Sequence, residues 1–378
     1  MTSWKIKERP QDFIVEELLS VGHTRDDHIV FTLEKIDWDT ITAIKAVARA
    51  LGISQKRVGY AGLKDRRALT RQKVSVRDVE RARVEGVNLP RLRILDVERG
   101  DRIRLGDHRG NRFEILVRNA AVTPEDMEDI SHGFPNYFGV QRFGEIRPIT
   151  HLVGRELVRQ NFDEAVLIFL AKPFPDDPHY GVRSDLWVTR DFKKARKEYP
   201  LSLKYERAML EQIHKGPLEA MKALPLRLAT LFIHAYQAHL FNEIVRRRCE
   251  AVPLKEVEED DIIVSYLDNR RVYTLAGAHN MDKIKRDGLC AAAPIVGYKT
   301  QVRGRMKSIT ASVLEEEGIS REDFKLKQLK VLSSRGTYRE IMATPSDLSY
   351  EHVKEGVWLR FSLLRGQYAT VLLDHLFS

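Results

Sequence analysis

The sequence predicts an α+β protein built on one mostly antiparallel sheet whose chain is interrupted by a large, helix-rich insertion. Three observations lead there. Alternating, strand-like residues dominate the first part of the chain, helical periodicity takes over from about residue 150, and alternation returns near the C-terminal end. A strand-rich beginning and end around a helical middle place both termini in one sheet domain. At 378 residues the chain also exceeds what one hydrophobic core usually holds, so a second domain or an insertion is expected. The expected division is 1–160 for the first part of the sheet domain, 161–335 for the insertion and 336–378 for the final part.

The elements follow in order. "DFIVEE" (12–17) and "HIVFTLE" (28–34) read as strands, the second alternating Ile29, Phe31 and Leu33. A helix follows: Asp39 or Thr40 can cap it, Ile41, Ile44, Val47 and Leu51 repeat at helical spacing, and Gly52 can end it. "KRVGYA" (56–61) looks like a short strand ending in a loop, and "QKVSV" (72–76) is extended. "DRIRLGDHRGNRFEILVRN" (101–119) reads as a hairpin with its turn at residues 107–111. "THLVGRELVRQ", "NFDEAVLIFLAKP" and "LRLATLFIHAYQAHLFNEIVRRR" carry helical periodicity. "DIIVSYLDNRRVYTLAG" is mixed, "SREDF" (320–324) looks like a capped helix start, and "VWLRFSLLRGQYATVLL" (357–373) returns to strand-like alternation.

Composition narrows the class. Lys plus Arg number 63 against 54 Asp plus Glu, a formal charge of +9, which suits a polyanionic partner such as nucleic acid. The only cysteines, Cys249 and Cys290, are too far apart for a metal knuckle, and two thiols make no disulfide framework, so a reducing cytoplasm is the expected location. No signal peptide and no run of about 18 apolar residues is present, so neither export nor membrane insertion is expected. His234 and His239 are five apart, where a zinc pair on one helix face needs four. No metal site is expected.

Two stretches carry chemistry. In "GYAGLKDRRALTRQ" (59–72) a single acid, Asp65, stands among Lys64, Arg66, Arg67 and Arg71, framed by Gly59 and Gly62. Nearby positive charge favours an ionised carboxylate, which suits a nucleophile or base, and the same cations can hold phosphates beside it. The plain alternative is a turn-forming aspartate paired with a neighbouring arginine. In "PNYFGVQRFG" (135–144), Tyr137, Phe138 and Phe143 lie beside Asn136, Gln141 and Arg142, a set suited to stacking on a base while bonding its edge. Aromatics between glycines also commonly plug the end of a core.

"GLKDRRALTRQ" and "NYFGVQRFG" resemble the two signature motifs of the TruD family of tRNA pseudouridine synthases, in the family's order. "DFIVEE", "HAYQAHLFNEIVRRR" and "LRFSLLRGQYATVLL" match more weakly, and the five together span nearly the whole chain. The resemblance implies a pseudouridine synthase catalytic domain with a TruD-type insertion. It implies that Asp65 is the catalytic aspartate and that Lys64 orients or charge-stabilises it. Phe13, Asn136 and Phe361 match positions that hold the target nucleotide, with Phe138 as the stacking aromatic. The implied substrate is tRNA, at uridine 13 of the D-arm. The implied reaction is an isomerisation that needs no cofactor, and a monomer is the expected state. "RRRC" (246–249) and "YKTQVRGRMK" (298–307) are candidate RNA contacts in the insertion. The competing classes are a non-catalytic RNA-binding protein and an Asp-dependent nucleosidase or glycosylase.

Overall fold

The computed structural model describes residues 4–267, 270–286 and 289–377. They form two units, one made of Met1–Phe134 with Ala343–Ser378 and the other of Pro135–Met342. Both ends of the described chain therefore belong to the first unit. Residues 135–160 and 336–342, expected in the sheet domain, belong to the helical unit.

The first unit is an eight-stranded sheet: β1 (Phe13–Leu18), β2 (His28–Ile36), β3 (Val58–Tyr60), β4 (Leu69–Arg77), β5 (Leu92–Gly100), β6 (Gly110–Arg118), β7 (Ser346–Val353) and β8 (Gly356–Leu364). The order is β7-β8-β6-β1-β4-β2-β5, with β3 added to β4. Every pairing is antiparallel except β1 with β4. Helix α1 (Thr40–Ala50) is capped by Asp39, whose side chain accepts from Thr42 N at 2.9 Å, and Gly52 follows it at φ +64°. Its apolar stripe, Ala43, Ile44, Val47 and Leu51, is buried against Phe31 and Leu33 of β2 and Val74 and Val76 of β4. Val30, one residue out of phase, faces the opposite side and meets Ala61 and Ile103.

Two sequence expectations fail here. Residues 101–109 are not the first arm of a hairpin, because β6 already has both edges filled, by β1 and β8. The segment instead runs as a loop beside β3, with Ile103 N on Ser75 Oγ at 3.0 Å and Gly106 N on Ala61 O at 2.8 Å. The C-terminal "ATVLLDHL" is a helix, Ala369–Leu376, and burial of Ala369, Val371, Leu372 and Leu373 shows that a short apolar run served a helix as readily as a strand.

The second unit is mainly helical. Helix α2 (Thr150–Val158) crosses the long α4 (Leu226–Ala251), with α3 (Phe162–Ala171) packed on α2. Gly154 permits the crossing, since a Cβ there would lie 2.0 Å from Phe232 O. A short hairpin, Ile262–Leu267 with Arg270–Leu275, replaces the mixed segment, although Asp268 and Asn269 of that stretch lie outside the described residues. "SREDF" is a single 3-10 turn, Arg321–Phe324, with Ser320 and Asp323 capping each other. No described helix is long and apolar enough to cross a membrane.

Gly59 sits where β3 meets the 101–109 loop, and a Cβ there would lie 2.3 Å from Ile103 O. A carbonyl in that position cannot swing away as a side-chain tip can. Gly59→Ala is therefore expected to cost about 1–3 kcal/mol of stability, seen as a lower urea midpoint for the sheet unit. An unchanged midpoint would contradict this packing.

Candidate functional site

The loop at residues 62–65 leaves β3 and is fixed through its main chain before its side chains are considered. Gln72 of β4 donates to Gly62 O at 3.1 Å, and Lys64 N donates to Thr40 Oγ1 at 2.8 Å. Lys35 Nζ donates to Asp65 O at 3.0 Å. Thr40 is the first residue of α1, so one helix terminus and two strands hold three successive points of the loop. These three bonds restrain the loop.

Asp65 emerges from this frame with its side chain 48% exposed. Its ion-pair partner is Lys7, at 2.6 Å. Lys7 belongs to the N-terminal segment and adopts φ +58°, and its ammonium also lies 4.2 Å from the centroid of the Phe13 ring. The segment is tied to β6: Lys5 and Arg118 exchange main-chain bonds, while the Arg118 guanidinium takes Asp12 with two contacts of 2.9 Å. Burial works against the charged form of Asp12, and Arg118 and the Arg9 N–H more than offset it, holding its carboxyl below the usual range.

The cations that flank Asp65 in sequence do not pair with it. Lys64, expected to orient or charge-stabilise Asp65, sends its ammonium to Glu17 Oε1 at 2.9 Å and Asn111 Oδ1 at 2.6 Å. The reason is the splay between β1 and β3 along one edge of β4. Glu17 lies there, buried, accepting from Lys73 N at 3.3 Å, and its charge needs a cation inside the fold. Arg66 donates to Asp37 O, Arg67 to Glu8 O and Arg71 to Glu34. The cations that serve Asp65 are Lys7 and Lys35, which the sequence reading missed. Lys35 is wholly buried, and burial pulls its ammonium down to about 8, with the Asp65 charge opposing that shift.

Phe13 is 3% exposed and Phe361 is not exposed at all. Both pack on Phe113, Phe13 edge-on at 6.3 Å and Phe361 stacked at 5.4 Å. Phe361 is fully buried and stacks on Phe113.

Asn136 and Phe138 belong to the helical unit. Asn136 is buried and hydrogen-bonded: its N–H donates to Ile341 O at 2.7 Å, its amide to Glu340 O at 2.9 Å, and its side-chain oxygen accepts from Arg339. Phe138 is locked by Asn242, which accepts from Phe138 N at 2.8 Å and donates to Phe138 O at 3.0 Å. The Arg339 guanidinium lies 4.3 Å from the Phe138 ring centroid, and Phe241 meets that ring edge-on at 5.5 Å. Phe138, Arg142, His234, Gln237, Arg335 and Arg339 line a cavity of about 510 Å³. That is within the range that holds a small ligand. Burial, then the Arg142 charge, pushes His234 below its ordinary value. The arginine run of "RRRC" is committed elsewhere: Arg246 and Arg247 pair with Glu243, and Arg248 is buried on Asp261 at 2.6 Å. Among the described residues no group of three or more His, Cys, Asp and Glu side chains could hold a metal ion.

Removing one partner of a buried ion pair strands the other's charge. Lys64→Met is expected to lower stability by about 3–5 kcal/mol, and adding Glu17→Leu should recover much of that loss. Urea unfolding of the two single variants and the double variant checks the coupling; strictly additive losses would contradict the pair.

Comparison with known proteins finds similarity to one family over nearly the whole chain. The family model described as tRNA pseudouridine synthase D (TruD) matches residues 2–376. A protein from Methanosarcina mazei named "Probable tRNA pseudouridine synthase D" is 34% identical, with 98% of this chain and 92% of that protein covered. One of the same name from Thermococcus onnurineus is 37% identical, covering 98% and 93%. A crystal structure of a TruD protein from Methanosarcina mazei superposes with TM-score 0.83 at 33% identity, over 100% of this chain and 94% of that one. The chain belongs to the TruD family of tRNA pseudouridine synthases.

Proposed function

We propose that this protein isomerises a uridine of tRNA to pseudouridine, with Asp65 as the reacting carboxylate and uridine 13 of the D-arm as the target. The observation that supports this most is the presentation of Asp65: an accessible carboxylate on a loop tethered at three main-chain positions, in a chain of this family. In the reaction the bond from ribose C1′ to uracil N1 breaks, the base turns, and C1′ joins C5, whose proton leaves while N1 gains one. Substrate and product have the same atoms, so neither oxidant nor reductant enters.

A uridine in folded RNA is out of a carboxylate's reach until it is flipped out, at a cost of a few kcal/mol recovered by stacking and polar contacts. We assign stacking to Phe138, with Asn136 fixing the chain beside it through Arg339. Phe13 and Phe361 form the apolar backing near Lys7. Asp65 then either adds to C1′ or removes a proton from the sugar to give a glycal; both need its ionised form. Lys7 lies on the side of Asp65 toward Phe13, so it has to yield or re-pair when the ribose arrives.

Asp65→Asn preserves shape but cannot act as nucleophile or base. It is expected to abolish pseudouridine formation while tRNA binding stays within a few-fold, measured by nucleoside analysis and gel shift. Retained turnover would overturn the role of Asp65, and release of free uracil by the wild type would indicate a glycosidase instead. Phe138→Ala is expected to slow turnover more than it weakens binding, since phosphate contacts supply most affinity. Equal losses in both would contradict a stacking role.

A further inference from the structure

We propose that a basic cleft in the sheet unit, at the ends of β2, β3 and β4, is a separate RNA contact that takes backbone phosphates of tRNA beyond the target nucleotide. This rests on the functional reading above. The cleft encloses about 520 Å³, and its cationic lining is Arg25, Lys56, Arg57, Arg77, Arg102 and Arg104.

Three carboxylates also line it, and each is already occupied. Asp101 accepts the main-chain N–H groups of Thr24, Arg25 and Asp26 at 3.1, 2.7 and 3.1 Å, which folds the 24–26 loop onto the cleft wall. Asp27 lies 2.6 Å from His28 Nδ1, and Asp78 pairs with Arg57 at 3.3 Å and with Arg77 at 3.8 Å. Four cations remain. Arg25, Lys56, Arg102 and Arg104 are exposed, and among the described residues none accepts a hydrogen bond or ion pair from their side chains. Four uncommitted cations around acids that are already satisfied make a cleft that attracts anions.

The lining indicates which part of an RNA enters. Among the described residues no phenylalanine, tyrosine or tryptophan lines the cleft, and its one histidine, His28, is buried and held beside Asp27. Exposed arginine and lysine donors fit phosphodiesters, contacts that position a nucleic acid without reading its sequence. Location favours a long polyanion over a small one. Arg57 leads through β3 into the Asp65 loop, and eight residues of chain keep it within about 29 Å of Asp65. Arg102 and Arg104 sit on the loop that runs beside β3 and bonds Ala61 O through Gly106 N at 2.8 Å. A strand delivering a nucleotide to Asp65 can therefore carry its flanking phosphates into the cleft.

The test is the four-alanine variant Arg25→Ala, Lys56→Ala, Arg102→Ala, Arg104→Ala, compared with Lys193→Ala, Lys197→Ala, Lys325→Ala, Lys327→Ala, which removes equal charge from exposed sites of the helical unit. In tRNA titrations from 50 to 300 mM salt, the cleft variant is expected to lower the slope of log K against log salt by about three. Its Kd should rise at least tenfold near 150 mM salt, while the single-turnover rate at saturating tRNA stays within about twofold of wild type. An unchanged slope, or the same drop in the control variant, would overturn the proposal. So would protection of the wild type by inorganic phosphate combined with undiminished tRNA binding by the cleft variant, which would assign the cleft to a small anion. A wild-type protein that forms no pseudouridine would sink the functional reading while leaving the binding comparison intact.

Discussion

The three main-chain bonds that hold residues 62–65 are the constraint on which the candidate site depends. An aspartate on a surface loop would ordinarily sample many positions, and catalysis needs one. Gln72, Thr40 and Lys35 remove that freedom by holding peptide groups, so the carboxylate stays available to water and ligand. Each of these residues is itself placed by a larger element: Gln72 by the middle of the sheet, Thr40 by the start of α1, Lys35 by the end of β2. The fold specifies the loop, and the loop presents the acid.

The lysines divide the electrostatic work by depth. Lys64 and Glu17 form a buried pair that knits β1, β6 and the loop together, and such a pair is costly to break. Lys7 and Asp65 form a partly exposed pair, of the kind worth only about 0.2–1 kcal/mol. The contrast fits their duties. A structural pair should not open, whereas a contact over a reacting group has to exchange at little cost when substrate arrives. Lys7 rests on Phe13 as well, so its displacement would uncover an apolar ring face beside the carboxylate.

Much of this was legible in the sequence, and the failures have physical causes. The cap at Asp39, the stripe of α1, the strands β1, β2 and β4, and the helical middle all follow from local patterns. Asp65 stood out because glycines and basic residues frame it. Its partner did not, because Lys7 is 58 positions away and is brought in by Arg118 and Asp12, a contact with no periodic signature. Charge proximity in sequence misled the reading of Lys64, whose side chain answers to a buried glutamate on another strand. The false hairpin arose because "RIRL" alternates like a strand, while strand placement is decided by which sheet edges are still open. Arg339 was invisible for the same reason as Lys7: it reaches Asn136 across 203 positions.

A structure of the protein bound to substrate tRNA would test the central claim most directly, through the distance between the Asp65 carboxylate and C1′ of the everted uridine. The account predicts an approach of about 3–3.5 Å, the range of reacting atoms poised to react, with Lys7 moved off its present contact. A ribose held against some other acidic side chain, with Asp65 still closed on Lys7, would contradict it.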